Sequence, residues 1–127
     1  MTEPKRVVIL VEDDPSVLRA IRRLILGAGF EVLAFDRPSA VLASALPATA
    51  GCLLVDVHLP EMSGVEMCKT LAASGLDLPV VLITGATDEA TRNLMQTVSG
   101  AAVLYKPLRR EVLISALANA LNVDKVQ

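Results

Sequence analysis

Aromatic side chains are nearly missing from this chain. There is no Trp, one Tyr and two Phe, or 2% of residues. A base-stacking surface therefore has almost nothing to be built from, and with a net charge of -2 no basic patch invites nucleic acid. Histidine occurs once, as His58, and the two cysteines, Cys52 and Cys68, are isolated from each other. No Cys-x-x-Cys or Cys/His cluster points to zinc, and buried reduced thiols are expected. Long hydrophobic runs are also missing. The N-terminal MTEPKRVVILVEDD holds five consecutive apolar residues before acids interrupt them. That is too short for a signal peptide or a membrane span, so a cytoplasmic location is expected.

What is abundant is aliphatic. Hydrophobic residues make up 53% of 127 residues, enough for one packed domain with a core of Val, Leu, Ile and Ala. The apolar runs are short and regularly spaced: Val7 to Val11, Glu31 to Phe35, Cys52 to Asp56, Pro79 to Thr84 and Ala102 to Tyr105. Three of these are nearly continuous in β-branched and Leu residues, as expected for strands covered on both faces.

Helical segments fill the intervals. The first has Asp14 as N-cap and Pro15 at its first position, and ends at Gly27 to Gly29. The second covers Pro38 to Leu46, the third follows Ser63 to about Ser74, and the fourth runs from Thr87 and Asp88 to about Val98. The last spans about Arg109 to Leu121, with a stripe of Val112, Leu113, Ala116, Leu117, Ala120 and Leu121. Part of that stripe serves the core and part could form a homodimer surface. Strand and helix alternate five times, which predicts an α/β fold with a parallel sheet wrapped by helices.

In such a sheet, ligands bind at the carboxyl ends of the strands. There the sequence places Glu12, Asp13 and Asp14, then Asp56, then Thr84 with Gly85 and Ala86, then Lys106 with Pro107. Crowded carboxylates repel one another, and a hard divalent cation with oxygen ligands, Mg²⁺, is the remedy. An Asp beside a metal, a lysine and a hydroxyl is suited to accept a phosphoryl group. Asp14 reads as a helix cap rather than a ligand.

Four pieces, VEDD (11 to 14), LLVDVHLPEMSG (53 to 64), VVLITGAT (80 to 87) and YKPL (105 to 108), together resemble the receiver domain of bacterial two-component response regulators. The resemblance covers nearly the whole chain. It implies a single domain over 1–127, with a core of about 6–121 and a tail or linker start at 122–127. It implies the flavodoxin-like doubly wound five-stranded parallel sheet of order 2-1-3-4-5 with five helices. The roles it implies are Asp56 as phosphoacceptor, with Asp13, Glu12 (partly through water), Asp56 and the backbone carbonyl of His58 around Mg²⁺. Thr84 would be the switch hydroxyl and Lys106 the phosphate-pairing base, aimed by a cis Lys106–Pro107 bond. The implied partners are a histidine kinase or phosphotransfer protein upstream and an output domain or protein downstream.

One stretch departs from the family pattern. The aromatic residue expected three places before the lysine is Val103, and Gly100 lies one place closer to the lysine than usual. Tyr105 faces the same side of its strand as Val103, and with a shifted register Tyr105 or Leu104 is a candidate for an altered switch. Three other functions compete. A phosphohydrolase with the same nucleophile would want an acid where His58 stands. An FMN carrier would want a Ser/Thr-rich loop in place of acidic VEDDPS. A degenerate, phosphorylation-independent interaction module would not need the full set of acids, threonine and lysine.

Overall fold

The computed structural model describes residues 6–122. Five strands, β1 (Val7–Val11), β2 (Glu31–Phe35), β3 (Ala50–Asp56), β4 (Val80–Thr84) and β5 (Ala102–Tyr105), alternate with five helices. The helices are α1 (Pro15–Gly27), α2 (Pro38–Leu42), α3 (Gly64–Ala73), α4 (Glu89–Gln96) and α5 (Arg110–Leu121). All strand pairs are parallel, and the sheet order is β2-β1-β3-β4-β5, the expected doubly wound arrangement.

Alternation along each strand explains the continuous apolar runs. Val8 and Leu10 point to one face and pack with Leu54, Ile83, Ile21 and Ile25 of α1, and Leu113 and Leu117 of α5. Ile9 and Val11 point to the other, against Leu53, Val55, Met67 and Leu71 of α3. Each such side chain taken fully out of water contributes about 1.5–3 kcal/mol, and both faces need that cover. A third cluster of Val57, Val65, Leu82 and Met95 lies under α4. Cys52 and Cys68 are buried free thiols within these cores, as expected.

Helix starts follow local chemistry. The Asp14 carboxylate accepts from the Ser16 and Val17 amides at 2.9 and 3.3 Å. Ser63 Oγ accepts from the Glu66 amide at 3.1 Å, and Asp88 accepts from the Thr91 amide and hydroxyl. α2 stops at Leu42, short of the predicted Leu46. Pro47 disfavours helical backbone at Leu46, which instead packs into the core beside Val41. β3 begins two residues before the predicted Cys52. On α5 the expected Leu113, Leu117 and Leu121 are buried with Ala116 and Ala120 against the core; Ile114 and Ala118 join them, and Val112, expected in the stripe, is 46% exposed. Asn122 caps α5 in the left-handed conformation. The rest of the expected tail, 123–127, lies outside the described residues.

At the sheet end away from Asp56, Arg6 Nη1 donates to the Leu121 carbonyl at 3.3 Å. A Cβ on Gly51 would collide with Leu121 and Arg6, so the start of β3 packs tightly there. No helix among the described residues is long and apolar enough to cross a membrane.

Candidate functional site

Register alone sets the acids side by side. Val11 pairs with Val55 across β1 and β3, so Glu12 and Asp56 each follow that level by one residue. The Glu12 amide still bonds the Phe35 carbonyl of β2 at 3.1 Å, which holds its backbone at the sheet edge. Carboxylate oxygens of Glu12, Asp13 and Asp56 lie within 4.8 Å of one another. Glu12 and Asp56 are buried, and Asp13 is exposed at the mouth.

Lys106 arrives from the end of β5. Its Nζ lies 2.7 Å from Asp56 Oδ2 and 3.0 Å from Glu12 Oε1. The Lys106–Pro107 peptide is cis, and the Lys106 amide donates to the Thr84 carbonyl at 2.9 Å. The other Asp56 oxygen, Oδ1, accepts from the His58 amide at 2.8 Å. His58 itself is exposed.

These contacts shape the charges. Burial pushes the Glu12 carboxyl above the ordinary carboxylate range, despite hydrogen bonds from the Asp14 amide and Lys106. Burial alone would lower the Lys106 ammonium, but its contacts with Asp56 and Glu12 outweigh that and hold it above its usual value. Glu12 Oε2 accepts from the Asp14 amide at 3.1 Å. Its Oε1 is buried with no well-directed hydrogen bond, although the lysine charge is near. A buried carboxylate oxygen met only by an ion pair with no well-directed hydrogen bond, in an all-oxygen acidic cluster, fits a hard cation such as Mg²⁺.

Thr84 is fully buried at the end of β4. Its hydroxyl accepts from the Ala86 amide at 3.0 Å and is thereby turned toward the β4–α4 loop. Across the β4–β5 ladder Thr84 is paired with Tyr105, and Leu82 with Val103. Val103 packs against the cluster under α4, while Tyr105 is 48% exposed. A cavity of about 240 Å³ lies between them, lined also by Met95 and Ala101.

The structure thus brings together Glu12, Asp13, Asp56 and Lys106, with His58 exposed at the rim and Thr84 buried at the end of the neighbouring strand β4. Two supporting contacts, both made from the LLVDVHLPEMSG stretch, were not foreseen from the sequence. Gly64 sits where any Cβ would overlap the Asp56 carbonyl oxygen, so only glycine lets α3 start this close to β3. Glu61 holds a left-handed φ of 73° and bonds Ser39, 22 residues earlier. Neither a close approach nor a pair so far apart is visible in residue order.

Residues 8–118 match the family model described as response regulator receiver domain. The chain is 35% identical to nodulation protein W of Bradyrhizobium diazoefficiens over 95% of its length and 53% of that protein's. It is 32% identical to response regulator protein TmoT of Ectopseudomonas mendocina, over 100% of this chain and 58% of that one. The chain therefore spans little more than half the length of these curated relatives. Among solved structures, chemotaxis protein CheY4 of Vibrio cholerae superposes with a TM-score of 0.83 at 25% identity, covering 93% of this chain and all of that one.

Proposed function

This chain belongs to the response regulator receiver domain family, and from that premise we propose that it is a phosphorylation-driven switch with Asp56 as acceptor. The observation that carries the reading is the placement of Asp56. It is a buried carboxylate whose oxygens are held apart, one by the His58 amide and one by the Lys106 ammonium, beside two further acids.

The donor is a phosphohistidine on a histidine kinase or phosphotransfer protein. A carboxylate oxygen of Asp56 forms the new bond to phosphorus as the phosphorus–nitrogen bond breaks, and the imidazole leaves with its electron pair. Glu12, Asp13, Asp56 and the His58 carbonyl would hold Mg²⁺, which when bound supplies neutralisation of the phosphoryl charge. Lys106 moves its pairing from Asp56 to a phosphoryl oxygen, a shift its long stem permits. Thr84 gives up the Ala86 amide and donates its hydroxyl to the phosphoryl group, which releases the β4–α4 loop. The chemistry is self-transfer rather than turnover of a substrate. An output half, cytoplasmic like this one, would read the change, consistent with relatives about twice this length.

The test is intact mass after incubation with acetyl phosphate, with and without Mg²⁺, on the wild type and Asp56→Asn. One Mg²⁺-dependent phosphoryl adduct, absent from the variant, is expected. A folded wild type that takes up no phosphoryl group would sink the reading and leave a phosphorylation-independent interaction module.

A further inference from the structure

Glu61 combines two costs that ordinary loop residues avoid. Its φ of 73° lies in the left-handed region, which a side chain with a Cβ rarely occupies. Its long, exposed side chain is also fixed at both oxygens: Oε1 accepts from the Ser39 amide at 2.9 Å and Oε2 from the Ser39 hydroxyl at 2.8 Å.

The second partner explains the first. Ser39 is in the opening turn of α2, whose N-cap, Arg37, makes no side-chain cap. Arg37 is instead paired with its neighbour Asp36 at 3.0 Å. The free amide at Ser39 needs an acceptor, and an acid is the favoured one at a helix start. Glu61 provides that acceptor from a different loop. The contact therefore joins α2 to the segment between β3 and α3.

That segment is the wall of the acidic site. Glu61, His58 and Asp13 line one cleft. His58, three residues before Glu61, donates its amide to Asp56 Oδ1. The far end of the segment is anchored by the Gly64 amide on the Val57 carbonyl at 2.9 Å. Between those anchors Leu59 and Met62 pack on the core, and among the described residues the Glu61–Ser39 contact is the segment's long-range side-chain hydrogen-bonded tie.

We propose that Glu61 is a positioning residue for the metal site: its clamp on Ser39 fixes the β3–α3 loop so that the His58 backbone is pre-set toward Asp56 and the cation. This rests on the reading of Glu12, Asp13, Asp56 and the His58 carbonyl as Mg²⁺ ligands. Loosening the clamp makes cation binding order the loop first, which weakens affinity without touching a ligand.

The test measures Mg²⁺ binding by calorimetry, and amide hydrogen exchange at His58 without Mg²⁺, in the full chain. Glu61→Gly removes the clamp while suiting the left-handed backbone, so it folds with unchanged or higher thermal stability. It is expected to weaken Mg²⁺ binding roughly tenfold and to speed exchange at His58. Glu61→Gln retains acceptance from the Ser39 amide and recovers part of the loss. Ser39→Ala, which leaves the loop sequence intact, shifts both readouts in the same direction by less. Asp13→Asn separates the two ideas. If it abolishes binding while Glu61→Gly binds and exchanges like wild type, the clamp is wrong and the site stands. If the wild type binds no Mg²⁺, or Asp13→Asn binds as well as wild type, the site reading and the clamp's role in it both fail.

Discussion

Lys106 spans β4 to reach Asp56: its ammonium, at the end of the edge strand β5, lies 2.7 Å from Oδ2 of a carboxylate two strands away. The same nitrogen is 3.0 Å from Glu12. One cation thus balances two buried acids, and most of the site's electrostatics follow from that sharing.

Removing the cation leaves two buried like charges uncompensated. Lys106→Met keeps most of the stem and deletes the charge. The lysine side chain is 29% exposed, so the loss falls below that of a fully buried pair. Without Mg²⁺ the variant is expected to lose about 2 kcal/mol in urea unfolding. Added Mg²⁺ should narrow the gap, because the cation replaces the missing charge. An unchanged midpoint in metal-free buffer would show that the acids are not held in place by Lys106.

Gly64 gives a steric test of the strand end. Gly64→Ala drives a Cβ into the Asp56 carbonyl oxygen and Val55, both parts of a rigid strand. A loss of about 2–3 kcal/mol is expected. Gly27→Ala, where nothing lies within 4 Å of the new methyl, is the control. It ends α1 and should gain up to about 0.5 kcal/mol. Equal midpoints for the two variants would contradict the close approach.

Burial pushes the thiols of Cys52 and Cys68 up to about 12 from an ordinary 9.0. In the folded chain they stay protonated while the unfolded chain loses the protons. Their contribution is complete below pH 9 and is lost as pH rises from 9 to about 12. Each thiol adds up to about 1.4 kcal/mol per pH unit to that decline. Urea midpoints from neutral to alkaline pH should fall less steeply in Cys52→Ala/Cys68→Ala than in wild type. Native protein should react with iodoacetamide only as fast as it opens, and rapid labelling of the folded chain would refute the burial.

Thr84 offers a test of the loop. Thr84→Val keeps the shape and leaves the Ala86 amide without its 3.0 Å partner. About 1 kcal/mol of stability should be lost, with faster hydrogen exchange at Ala86. If the switch operates as proposed, the variant still accepts phosphate on Asp56. The amide shifts in the β4–α4 loop that accompany phosphorylation should then disappear in NMR spectra. Their persistence would assign the loop response to another group.

The strand pattern was readable because the runs are short and apolar between polar or turn-forming segments: β1, buried along nearly its whole length, and the more exposed edge strands β2 and β5 all begin and end where the apolar runs do. Asp14 as a cap, and the gathering of Glu12, Asp13, Asp56 and Lys106, followed from strand ends and sheet topology. What escaped was tertiary. The α5 stripe held at Leu113, Ala116, Leu117, Ala120 and Leu121, but Val112 and Ile114 are both apolar, and only packing against the sheet selects Ile114. α2 ended early because Leu46 gains more from the core than from another helical turn. The Glu61–Ser39 tie joins two polar residues with no periodicity between them.

The Arg6–Leu121 contact gives the molecule a polarity beyond its sheet direction. Arg6, just before β1, and Leu121, at the end of α5, meet on the side of the sheet opposite the acids. Strands of about five residues put that meeting point roughly 17 Å from the chemistry. A tie that far from the acids pins together the two ends of the described fold without covering the face that a visiting macromolecule would approach.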